Sequence, residues 1–172
     1  VGMKSNRRDA RLAMATAADR TSFSNYSVAE PRQRGFYLPA GGAVSRGFEA
    51  ESNGQPRPGV DVVGTYTYND FVQPAGTKLA VNLPKNSASL WATYNFQTEA
   101  LQGFGVGTGL FFASGQYVES GSAYRIPSQV ETDLGVFYRK KGYGLNLSIK
   151  NVFNRKLYYS STTSSLIPMG PE

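Results

Sequence analysis

Two acids stand two residues apart at Glu131 and Asp133, and glycine recurs at 103, 105, 107 and 109. Paired carboxylates can do general acid–base work, and a glycine-rich run can cradle phosphate. Neither reading fits its surroundings. Residues two apart share one face of a strand, so Glu131 and Asp133 join Gly135 in a polar row opposite Val130, Thr132, Leu134, Val136 and Tyr138. A polar row of this kind is not a pair poised across a substrate. The run "GFGVGTG" sits inside a strand pattern instead of opening a helix, as a phosphate loop would. The chain has no His and no Cys. It therefore lacks the usual base at neutral pH, the commonest metal ligand, and the means to build a disulfide or a thiolate zinc site. No serine has a histidine to activate it. These residues predict no catalytic group, no metal site and no cofactor, and the chain is expected not to be an enzyme.

What remains is a pattern of faces. In "SASLWATYNF", residues 87–96, apolar side chains fall at Ala88, Leu90, Ala92, Tyr94 and Phe96, with mostly polar ones between. Such a ribbon has one apolar side. A soluble sandwich would lay that side on a core, whereas an outer-membrane barrel would lay it on lipid and turn the polar side to its lumen. The same alternation marks 43–52, 60–71, 103–112, 130–138 and 143–150, with a weaker strand at 22–28. Residues 1–21 show no strand period, and Ala10 to Ala18 favour a short helix or no order. They are expected to be an irregular or non-native leader, with residues 22–172 forming the partial β-barrel.

Nineteen glycines, eleven tyrosines and ten phenylalanines favour strands and turns. The formal charge of +6 is concentrated before residue 51, and the aromatics alternate within strands while the charges sit at strand ends. Nucleic-acid binding would need basic residues and stacking aromatics on one surface, so that class is set aside. No window holds the ~18 consecutive apolar residues of a spanning helix, which leaves a barrel open.

Length and spacing separate the two all-β architectures. Several ribbons reach the ~10 residues that cross a bilayer at a tilt, longer than the ~5–6 of soluble strands. Connections alternate: short at 53–59, 97–102 and 139–142, long at 72–85, 118–128 and after 159. Outer-membrane barrels place short turns in the periplasm and long loops outside. Tyr66, Tyr68, Tyr94, Phe96, Phe112, Tyr138 and Tyr143 gather toward the ends of the apolar rows, where interfacial girdles belong.

Three segments carry a resemblance. "SRGFEAESNGQPRPGVDVVGTYTYND", "NLPKNSASLWATYNF" and "LNLSIKNVFNRKLYY" resemble, in order and spacing, the C-terminal part of TonB-dependent siderophore receptors, particularly the ferrichrome-receptor-like branch. Asn151, Val152, Phe153, Asn154, Arg155 and Tyr158 match the family's habit before its last outer loop. The resemblance implies an antiparallel transmembrane β-barrel in the bacterial outer membrane, of which this chain holds a C-terminal fragment of about seven strands, without the plug and the final strand. The implied ligand is a ferric siderophore, transported and not kept as a cofactor. The implied partners are the TonB complex, acting through a plug domain, and outer-membrane lipid. A wall close to such a plug is one reading of the glycine row; relief of crowding in a curved sheet is the other. Recognition of a negatively charged or hydroxamate-bearing chelate would fall to aromatic and cationic loop residues. Tyr37, Phe71, Tyr117, Tyr124, Arg125, Tyr158 and Tyr159 are the candidates.

The Leu90 and Leu147 side of these ribbons should meet hydrocarbon. Nitroxides at those two positions, in the protein reconstituted in bilayers, are expected to be relaxed far more by lipid-soluble oxygen than by a water-soluble quencher; equal relaxation by both would exclude a lipid-facing wall.

Overall fold

The computed structural model describes residues 1–5, 11–24, 27–30, 35–39, 42–72, 83–117, 125–159 and 167–168. Its strands are β1 (Gly2–Ser5), β2 (Leu12–Phe23), β3 (Ser27–Ala29), β4 (Tyr37–Pro39), β5 (Ala43–Arg57), β6 (Val60–Val72) and β7 (Asn86–Asn95), followed by β8 (Phe104–Ala113), β9 (Gln116–Tyr117), β10 (Arg125–Ile126), β11 (Gln129–Lys140), β12 (Tyr143–Ile149), β13 (Tyr158–Tyr159) and β14 (Ile167–Pro168). Eight of them form one antiparallel sheet in the order β1-β2-β5-β6-β7-β8-β11-β12, and β3/β4, β9/β10 and β13/β14 are separate small hairpins. Of the seven expected strands six lie in this sheet; the weak one expected at 22–28 is divided, its first two residues closing β2 and Ser27–Val28 falling in the separate β3/β4 hairpin, and β1 and β2, in the supposed leader, bring the total to eight. Among the described residues β1 and β12 are the two edges of a linear sheet and do not pair with each other.

The correction at β2 has a plain cause. Its outward residues Leu12, Met14 and Thr16 alternate with Ala13, Ala15 and Ala17, and alanine is apolar enough to erase a period of two. Twelve consecutive residues of β2 pair with β5, from Leu12 opposite Gly54 to Phe23 opposite Ala43. That ladder overrides the helix propensity of the alanines. The reversal expected at 53–59 is also narrower: β5 runs on to Arg57 and only Pro58–Gly59 turn. The register slips between Gly54 and Arg57, a bulge that accommodates Pro56, which has no N–H for a ladder.

Adjacent strands are joined alternately by short connections (58–59, 96–103, 141–142) and long ones (24–42, 73–85, 114–128). All short connections fall at one end of the sheet. Cross-strand partners share a face, so the register defines both sides. One row runs Leu12, Gly54, Val62, Ala92, Thr108, Leu134, Ile149, and a neighbouring row runs Val60, Tyr94, Val106, Val136, Leu147. These side chains are uncharged; Leu12, Tyr94, Val106, Leu134, Val136, Leu147 and Ile149 are exposed, Leu147 by 63%, and Val60, Val62 and Ala92 are half-buried. Exposed leucines in an unbroken band are costly in water and at no disadvantage in lipid.

Aromatics bound this band above and below. Phe48 pairs with Tyr68 near the long-loop end, and Phe112 aligns two residues lower, through Ala88 with Tyr66. At the other end Tyr94 faces Val106, Phe104 and Tyr138 pair two residues lower, and Tyr143 lies opposite Lys140, two lower again. Their rings touch at 5.2 Å (Tyr94–Phe96), 4.4 Å (Phe104–Tyr138) and 6.3 Å (Tyr138–Tyr143). Both girdles descend in the same direction across the sheet. Strands tilted to a membrane plane require this skew, because a register row is then not level with the bilayer.

The opposite face is polar: Glu49, Thr67, Ser87; Glu51, Thr65, Ser89, Glu131; Asp61, Thr93; Asn95, Asn146. The Thr65 and Ser89 hydroxyls share a hydrogen bond of 2.7 Å, and Asn95 Nδ2 donates to Asp61 Oδ2 at 3.0 Å. The glycine row belongs to this face, and side chains of the same sheet cover it. Trp91 packs over Gly107 and Gly109 and reaches Gly135, while Phe137 covers Gly105. The glycines make room for these two aromatic rings, which is relief of crowding within the sheet.

A Cβ on Gly109 would stand 2.5 Å from the Trp91 ring. Gly109→Ala should therefore destabilise the assembled protein by about 1–3 kcal/mol. Combining it with Trp91→Leu should recover part of that loss in a double-mutant cycle followed by urea unfolding on gels; additive costs would show that the ring and the glycine do not interact.

Candidate ligand-binding rim

The long-loop end is where β12 stops and β11 continues. Ile149 pairs with Leu134, and β11 runs five residues further up, to Gln129. The chain after Ile149, expected to continue as a strand, instead turns. Asn151 and Asn154 adopt φ of 47° and 48°, a region asparagine tolerates better than most residues, and the Asn154 N–H donates to the Asn151 carbonyl at 2.7 Å. Asp133, only 9% exposed, holds this turn: its Oδ1 accepts the Asn151 N–H at 2.9 Å. Next to it the Val152 N–H donates to the Thr132 carbonyl at 2.8 Å. Asp133 is thus a structural acceptor at the end of its strand.

Residues 151–158 then pass back across the inner face as a strap. Asn151 grips the backbone of Arg155 with both ends of its carboxamide, at 2.9 Å each. Gln129 grips Tyr158 in the same manner, accepting its N–H at 2.5 Å and donating to its carbonyl at 3.2 Å. Between the two grips Leu157 is 7% exposed, beside a 170 Å³ cavity it shares with Phe111, Phe112, Ala113, Gln129 and Glu131.

The candidates distribute around this rim. Tyr117 and Arg125 are brought together: they are register partners in the β9/β10 hairpin, with the guanidinium 5.6 Å from the ring centroid. The base of that hairpin is closed by Ile126, which is buried, and by the Gly115 N–H donating to Ser128 Oγ at 3.1 Å. Tyr37 stands exposed on β4, apart from that pair in sequence and hairpin. Phe71 lies on the inner face at the end of β6, its ring 6.1 Å from Phe23, which gives it a packing contact within the wall. Tyr158 is half-buried at the root of the β13/β14 hairpin, and Tyr159 follows it, paired with Ile167. Tyr124 lies outside the described residues.

Sequence reasoning missed Gln129 and Leu157 as rim residues. It also missed Lys85, which bridges to Asp70 at 3.1 Å and lies 5.4 Å from the Tyr68 ring centroid. The hydrogen bonds to Asp70 and then Tyr68 raise the Lys85 ammonium above its usual pKa. The one usable signal was the pair of asparagines three apart, a turn signature when both sit at strand ends. Among the described residues no group of three or more acids forms a metal cluster.

The family model for the TonB dependent receptor-like β-barrel matches residues 1–154. The chain belongs to that family. Barrels of this family lie in bacterial outer membranes, which assigns the apolar rows to lipid and the long-loop end to the cell exterior. The match begins at residue 1, so it includes β1 and β2. Over 165 residues the chain is 29% identical to the ferrichrome outer membrane transporter/phage receptor of Escherichia coli K12, covering 91% of this chain and 22% of that protein. It is 28% identical over 176 residues to the metal-pseudopaline receptor of Pseudomonas aeruginosa, covering 98% of this chain and 25% of that one. Its fold is like that of the ferric preacinetobactin receptor of Acinetobacter baumannii, with a TM-score of 0.78 at 22% identity, over 99% of this chain and 27% of that receptor. The chain thus spans about a quarter of the length of the curated relatives it matches.

Asn151→Ala removes two hydrogen bonds and strains a positive φ, and should cost about 2–3 kcal/mol. Asn151→Gly should restore the conformational share alone. Asp133→Ala should cost about 1.5–3 kcal/mol and combine less than additively with Asn151→Ala. Urea unfolding of the assembled protein checks the series; strict additivity would mean that the carboxylate and the turn are independent.

Proposed function

We propose that this chain forms part of the wall and outer rim of a receptor that takes up ferric siderophores across the outer membrane in a TonB-dependent manner. It acts as a receptor and not as an enzyme. The observation that carries this reading is the family match over residues 1–154 on a wall with a lipid-facing band and a polar inner face. The relatives are named for ferrichrome and metal-pseudopaline, and the fold neighbour for ferric preacinetobactin; all are metal chelates. Support also comes from the rim itself. Arg125 on Tyr117 offers a cation with an aromatic face, a combination suited to an anionic or hydroxamate-bearing ferric chelate. Coupling to TonB runs through a plug within the lumen, whose polar wall is lined by Glu49, Glu51, Thr65, Ser89 and Asn95.

A second reading of the sequence is an autonomous eight-stranded outer-membrane barrel; such a barrel must join its first and last strands, and the linear order of the eight strands among the described residues argues against it. The exposed leucine band argues against a soluble all-β binding module.

Expression of the gene in a strain lacking its own receptors is expected to restore growth on a ferric hydroxamate as sole iron source. Disruption of TonB should abolish that growth, and Arg125→Ala should reduce uptake by roughly threefold to tenfold through the loss of one charged contact. Uptake independent of TonB would overturn the reading. Restoration only by a chelate of another metal would move the cargo from iron to that metal.

A further inference from the structure

The strap raises a question about the outer loop that begins after it: where does the fixed wall end? A carboxamide carries a donor and an acceptor side by side, as a peptide group does along a strand edge. Gln129 uses both on one residue, Tyr158, and Asn151 uses both on Arg155. Leu157, buried between them, has its apolar contacts on the wall. The backbone up to Tyr158 is therefore secured from β11 and from the turn that Asp133 holds. Beyond it, the β13/β14 pairing joins Tyr158 and Tyr159 to Pro168 and Ile167, within the loop itself.

We infer that Gln129 is a positioning residue for ligand recognition: its two-ended grip fixes the root of the β13/β14 hairpin and so sets where Tyr158 stands at the long-loop end. The inference rests on reading this rim as the siderophore-binding face. Gln129 touches no ligand in this account. It acts through the backbone of Tyr158, and its residue type matters. Glutamate can accept the Tyr158 N–H but cannot donate to the carbonyl, and alanine can do neither.

The test uses the complete receptor purified in non-ionic detergent, with ferrichrome as the probe and hydrogen exchange read at the amides of 155–158. Gln129→Ala should raise exchange at Tyr158 by about tenfold or more, as expected for two lost hydrogen bonds. It should weaken ferrichrome binding by roughly threefold to tenfold, because binding must then order the loop root. Gln129→Glu, nearly isosteric, should fall between wild type and alanine on both measures, and it keeps the test decisive if the alanine variant fails to assemble. Gln97→Ala, which removes a carboxamide bond to the Asn95 carbonyl at the far end of the sheet, should change neither. The unfolding midpoint should fall less in Gln129→Ala than in Asn151→Ala, which also carries a positive φ, less again in Gln129→Glu, and not at all in Gln97→Ala. Unchanged exchange at Tyr158 in both Gln129 variants would overturn the proposal, as would raised exchange with undiminished binding. A wild-type receptor that binds no ferrichrome, with exchange still raised in the variants, would support the grip and count against the siderophore reading alone.

Discussion

In hydrocarbon there is no water to satisfy a backbone N–H or C=O, and each unmet group costs several kcal/mol. This single constraint governs the wall. It explains why β2, β5, β6 and β11 each run twelve residues or more, and why the periplasmic connections at 58–59 and 141–142 are as short as a chain reversal allows. It also explains the strap. Where β12 leaves the ladder at Ile149, the upper edge of β11 would be bare. The Val152 N–H takes the Thr132 carbonyl, the Asp133 carboxylate takes the Asn151 N–H, and the Gln129 carboxamide occupies the backbone of Tyr158. The first of these bonds meets the β11 edge itself, and the other two satisfy backbone groups of the strap.

The same wall must present two incompatible solvents to its two faces, and a period of two does this without further machinery. What differs between the faces is how bulk is handled. The outer side mixes large side chains such as Leu12 and Leu134 with Gly54, Ala92 and Thr108 in one row, because lipid conforms to any shape. The inner side concentrates its bulk in Trp91 and Phe137, laid across glycines at 105, 107 and 109. Two rings on a glycine lane give a wall that is well packed where they lie. Those glycines would be a liability in an isolated strand. Here the rings restore the contacts that the missing side chains would have made.

How much of this was legible in the sequence follows from which signals are local. Strands β6, β7, β8 and β11 could be read nearly to their ends, because their apolar rows contain Leu, Val, Tyr and Phe against Ser, Thr, Asn and Gly. Strand β2 could not, since alanine on its inward side gives no contrast, and its evidence lies in pairing with a strand some thirty residues away. The bulge near Pro56 looked like a turn because glycine and proline mark both. At the rim, residue types were legible and partnerships were not. Tyr117 and Arg125 were both candidates, yet only the β9/β10 register places cation over ring. Phe71 had the right type and a strand-end position, and its contact turns out to be with Phe23. Gln129 gave no signal at all, because a glutamine on a polar face is unremarkable until a backbone twenty-nine residues later comes to lie against it.

Recognition by long loops faces an entropic problem that the wall can reduce. Fixing one residue's backbone costs about 1–2 kcal/mol, so a loop that had to be ordered from Ile149 onward would consume much of the free energy a chelate can offer. On the receptor reading proposed above, holding residues 151–158 through the folded wall removes most of that cost from the binding step and assigns it to folding, where the ladder and the buried Leu157 offset it. On that reading, a barrel built this way can change its ligand by changing residues beyond Tyr158, since neither the lipid band nor the backbone pairing that the membrane enforces depends on the residues found there.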